Sequence, residues 1–144
     1  MDWTLEVVIV PVSDLARSIA FYRDQVGFEL DHHIANEHME FAQLTPRGSG
    51  CSIVIGTLPS QQDMAPGSLR GVQLVVSDAT AARAELVERG VEPSEMTVLD
   101  DRDGSTFFGF RDPDGNTWTV QQLAVRAEHP LIPRGAQGGR GAVE

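Results

Sequence analysis

The chain has 144 residues, a net charge of −10 and 41% hydrophobic residues, a length and balance that favour one compact domain. The acidic surface disfavours nucleic acid and anionic membrane as partners. A single cysteine, Cys51, excludes a disulfide framework within the chain.

The N-terminal run MDWTLEVVIV lacks a basic n-region, and its apolar stretch is too short for a signal peptide or a span. A soluble, cytoplasmic protein is expected. Residues 5–12 are rich in Val and Ile and read as a strand, with Pro11 placing its end at an edge or bulge. Ser13 and Asp14 supply an N-cap and a first-turn negative charge. Leu15, Ile19, Tyr22 and Val26 then recur at helical spacing, Phe21 widens the stripe, and Gly27 is the expected stop. Residues 28–34, 39–44 and 51–55 read as three further strands, separated by a polar turn and by TPRGSG.

Residues 57–70 read as a linker, after which the order repeats. Val12-Ser13-Asp14 and Val76-Ser77-Asp78 lie 64 residues apart. A strand over 71–76 leads into a helix with Ala79, Ala82 and Leu86 as its stripe and Gly90 at its end. Strands follow over 95–99, 105–111 and 117–123, divided by Asp-Gly and Asp-Pro-Asp-Gly-Asn turns. The spacing predicts an α+β protein of two tandem βαβββ modules. Module one spans 5–56 and module two 71–123, within one domain over 1–123. Residues 124–144 have no period and are expected to form an extended or mobile tail.

VSDLARSIAFYRDQVGFEL and FRDPDGNTWTVQQL, on this doubled module, resemble the glyoxalase / bleomycin-resistance / extradiol dioxygenase superfamily, the vicinal oxygen chelate fold. LEVVIVPVSD, LTPRGSGCSIVIG and GVQLVVSD are similar to its "glyoxalase-like" subgroup. The resemblance covers residues 5 to about 123. It implies a curved, open half-barrel around a pocket, usually in a dimer. It also implies, in metal-dependent members, a divalent ion held by His, Glu or Gln from the first and last strand of each module. Carried onto this chain, those positions are Val7, Ser52, Gly71 and Thr119. Val and Gly offer no side-chain donor, and neutral hydroxyls are weak ligands without carboxylate or imidazole companions. The usual metal chemistry is therefore disfavoured, and no cofactor is expected.

The favoured reading is a homodimer binding a small organic molecule, such as a cationic antibiotic, without metal. The alternative is a lyase, isomerase or dioxygenase using a divalent metal at a displaced site, or His33 as an acid/base. Thr119 and Gln121 are expected to line the cup with Gln43, Ser52 and Gln73. There they either hydrogen-bond a ligand or hydrate an open groove. Phe41, Phe108 and Phe110 are candidates for its aromatic wall. Trp118 and Cys51 are expected on the helix side. Asp112-Pro113-Asp114-Gly115-Asn116 is read as turn geometry, since the register of a Ca²⁺ loop is absent.

Overall fold

The computed structural model describes residues 1–59 and 63–132. Strand β1 (Val7–Ile9) leads to helix α1 (Leu15–Ala20), which runs directly into a π-helical turn over Phe21–Val26. Strands β2 (Glu29–Ala35), β3 (Glu40–Thr45) and β4 (Ser52–Gly56) complete the first module. The second repeats the order with β5 (Val72–Val76), α2 (Ala79–Glu88), β6 (Thr97–Val98), β7 (Thr106–Arg111) and β8 (Thr117–Gln122). The architecture is α+β, with two four-stranded sheets ordered β1-β4-β3-β2 and β5-β8-β7-β6. In each the first strand pairs parallel to the last and the other pairings are antiparallel.

Both helices start on an aspartate. The Asp14 carboxylate accepts from the Arg17 amide at 3.0 Å, and Asp78 accepts from Ala81 at 3.0 Å. The cap is thus the Asp of each Ser-Asp pair. Ser13 has a different task, because its hydroxyl donates to Asp114 at 2.5 Å in the other module. Gly27 ends the π turn at φ +96, a left-handed value that disfavours any other residue. Phe21 and Tyr22 are consecutive, yet both are buried, at 6% and 0% exposure.

One hydrophobic core serves both modules. Val10, Ile19, Ala42, Leu44, Ile53 and Ile55 from the first meet Leu86, Phe108, Phe110, Trp118 and Val120 from the second. Tyr22 reaches across to Trp118 with ring centroids 5.7 Å apart, and Phe21 reaches Phe110 at 6.2 Å. The two sheets therefore turn their helix-bearing faces toward each other. Their outer faces point away from this core, and alternation fixes what those faces carry.

The Asp112–Asn116 turn does more than reverse the chain. Asp112 Oδ2 accepts from the Tyr22 hydroxyl at 2.6 Å and from Asn116 Nδ2 at 2.7 Å. Asn116 Nδ2 also donates to the Pro11 carbonyl at 2.8 Å, and Trp118 Nε1 donates to Tyr22 at 3.0 Å. These bonds bolt module two to the β1–α1 connection of module one. Burial first, then the Asp112 carboxylate, push the Tyr22 phenol far above its ordinary range, so it remains the donor.

Residues 124–127 form a single 3₁₀ turn, with the Ala124 amide donating to Asp103 at 2.7 Å. Of the expected tail, residues 133–144 lie outside the described residues, as do residues 60–62 of the expected linker. No helix among the described residues is long and apolar enough to cross a membrane.

Candidate functional site

The outer face of the first sheet follows from its register. Val7 lies opposite Ser52, Ile9 opposite Val54, Gln43 opposite Val54, and Phe41 opposite Gly56. On β2 the alternation breaks. The pairing shifts between Leu30 and His32, so Leu30 stays opposite Leu44 while His32 meets Gln43 and Ile34 meets Phe41. The bulge gives the outer face two consecutive residues, Asp31 and His32. Asp31 Oδ2 accepts from the Thr45 hydroxyl and from Gln43 Nε2 at 3.4 Å. The Ser52 and Thr45 hydroxyls lie 2.7 Å apart, and Gln43 Nε2 also donates to Ser52 at 3.4 Å. Ser52 is fully buried and Thr45 nearly so. The result is a polar floor of four side chains, flanked by the Phe41 and His32 rings at 6.3 Å and 88°.

The second sheet presents a simpler outer face. Gln73 lies opposite Thr119, Val75 and Phe107 opposite Gln121, and Gly109 opposite Thr119. Gln73 Nε2 donates to Gln121 at 2.5 Å, and Gln121 Nε2 donates to the Gly104 carbonyl at 2.6 Å. A groove of about 680 Å³ beside β7 is bordered by Pro93, Ser94, Gly109, Phe110, Thr117 and Thr119.

Phe41, Gln43, Ser52, Gln73, Thr119 and Gln121 thus share the outer faces of their sheets. Two expected wall residues do not. Phe108 and Phe110 are 1% and 4% exposed and pack in the core, where Phe110 stacks on Trp118 at 6.0 Å. Phe110 borders the groove only as part of that core. The reason is register: Phe110 pairs with Trp118 and Phe108 with Val120, so all four face the helices. The aromatic residue on the outer face is Phe107. The five-residue turn carried the signal, since joining Arg111 to Thr117 pairs even-numbered residues with even-numbered ones.

His33 is also corrected. It pairs with Ala42 on the helix-bearing side of β2, and its Nε2 lies 2.8 Å from Glu40 at the exposed margin of the sheet. His32 is the histidine of the outer face. His32 and His33 depart from strict alternation because of the bulge, which leaves no mark in the strand's composition. Cys51 is half-buried rather than fully buried.

The metal positions that the resemblance implies do not fit a divalent ion. Val7 and Ser52 face each other, but the Ser52 hydroxyl is engaged by Thr45 and Gln43. The β5 residue opposite Thr119 is Gln73 rather than Gly71, and its amide is engaged by Gln121. A valine, two neutral hydroxyls and one amide supply neither carboxylate nor imidazole. Among the described residues no three His, Cys, Asp or Glu side chains converge.

Comparison with known proteins shows the family. The Glyoxalase/Bleomycin resistance protein/Dioxygenase superfamily matches residues 4–120, and the chain belongs to that superfamily. Among solved structures, the chain is 33% identical to TnmS3, an antibiotic binding protein from Streptomyces sp. CB03234. That alignment covers 85% of this chain and 97% of TnmS3, with a TM-score of 0.71. A glyoxalase/bleomycin resistance protein from the same strain is 35% identical over 83% of this chain and 100% of its own, with a TM-score of 0.69. A member of the same superfamily from Sphaerobacter thermophilus DSM 20745 is 27% identical over 84% of this chain and 98% of its own, with a TM-score of 0.70. No curated protein matches the chain.

Proposed function

We propose that the protein is a cytoplasmic homodimer that binds a small, antibiotic-like organic molecule without metal or other cofactor. In this reading residues 1–123 are one domain and the following segment is an extension. Each ligand cup is completed by two chains, the outer face of sheet one from one protomer meeting that of sheet two from its partner. The observation that carries the reading is the orientation of the two sheets. Both spend their helix-bearing faces on one shared core, which leaves two open half-cups per chain. Val7, Ile34 and Val75 lie on these faces at 37%, 36% and 40% exposure, apolar surface that a second copy would cover. Amides and hydroxyls beside Phe41 and Phe107 suit a polar aromatic molecule better than bond-making chemistry. Likeness to an antibiotic binding protein at 33% identity supports the ligand class.

The test is a thermal-shift screen of polycyclic aromatic antibiotics against the full chain in excess EDTA. At least one compound raises Tm saturably, and Gln43→Trp and Thr119→Trp, which fill the two outer faces, each abolish the shift while leaving the unliganded Tm near wild type. Stabilisation that requires an added divalent ion contradicts the reading, and so does a shift that both variants retain.

A further inference from the structure

We infer that Asp31 anchors a protonated amine on the molecule bound by the outer face of sheet one, so that the ligand is an aromatic molecule bearing an aliphatic amine. This rests on the binding role proposed above and names the chemistry of its ligand. Asp31 shares the outer face with Glu29, and its carboxylate lies over the floor, where Thr45 and Gln43 both donate to Oδ2. Two donors on one oxygen fix the orientation of the group. The other oxygen, Oδ1, accepts no hydrogen bond among the described residues, and no cation among them lies within ion-pair distance of Asp31.

A carboxylate is acceptor-only, so the open oxygen calls for a donor. Once a ligand seals the half-buried floor from water, an uncompensated negative charge there is costly unless the ligand brings the countercharge. An ammonium group supplies charge and donor together, in a charge-assisted hydrogen bond about twice as strong as a neutral one. The neighbouring donors cannot substitute, because the Thr45 hydroxyl and the Gln43 amide are directed at Asp31 and Ser52. The Phe41 ring beside this floor offers a surface for the aromatic part of the same molecule. The chain's net charge of −10 attracts such a cation from a distance.

The test uses two fluorescent probes, dansylcadaverine and its N-acetylated derivative, which differ in the charge of one amine. Each is titrated into the full-length protein at low and at high salt. Wild type binds the free amine about tenfold more tightly or better, and salt erodes the preference. Asp31→Asn binds both probes equally, at the affinity wild type shows for the acetylated one. Equal binding of both probes by wild type overturns the inference and leaves the binding role standing. A preference that persists in Asp31→Asn also overturns it. Failure of wild type to bind either probe overturns the inference, and only if no antibiotic in the screen binds does the binding role fall with it. The two wild-type titrations decide the matter even if the variant does not fold.

Discussion

Tyr22 shows how single residues hold this protein together. Its hydroxyl donates to Asp112 and accepts from Trp118, so one oxygen ties α1's continuation to the turn and to β8. Tyr22→Phe removes that oxygen, leaves the Trp118 N–H without its acceptor and takes one donor from Asp112. The expected loss is about 1–3 kcal/mol, read as a lower urea midpoint at unchanged m-value. An unchanged midpoint would show that the network does not brace the modules. At this same scale the sequence was readable only in part. Trp118 is assigned to the core from parity, but Phe108 and Phe110 are assigned to the wrong face. Their positions follow from counting across the turn to Trp118, a long-range pairing that local composition does not encode.

At the scale of elements, cap residues, helical stripes and turn glycines give the βαβββ order directly, because each is a local signal. Two features were not legible. The π turn over Phe21–Val26 has no counterpart in the helical spacing, although the burial of Phe21 and Tyr22 was readable as a widened stripe. The bulge in β2 brings His32 onto the outer face beside Asp31 and sends His33 to the helix-bearing side. The connection between modules is set by tertiary contacts. Gly67 has φ +78 and donates to the Pro11 carbonyl at 3.1 Å, and a Cβ there would strike the Asp114 carbonyl. Gly71 has φ +69 with open space around it. Gly71→Ala should cost about 1–2 kcal/mol from the left-handed backbone alone. Gly67→Ala should cost distinctly more, since backbone must also move. Equal losses in urea melts would mean that the linker yields freely.

At the scale of the whole molecule, the internal repeat explains both the stability and the open faces. Two copies of a small module bury their helices against each other, and one core results. The same arrangement turns each sheet's other face outward, where a polar floor lies on one and paired amides lie on the other. The family's metal positions have become a valine, two hydroxyls, and a glycine two residues before the glutamine that faces Thr119. The superfamily was legible in the sequence from two long motifs. Gln73's place opposite Thr119 needed the β5–β8 register.

The most direct test of a metal-free, two-chain cup is native mass spectrometry. It would use untagged protein purified without chelator, alone and with a stabilising antibiotic from the screen. The expected result is twice the 15.6 kDa chain mass, no bound metal, and two antibiotic molecules per dimer. A monomer that binds the antibiotic, or one tightly held transition metal per chain, would contradict it.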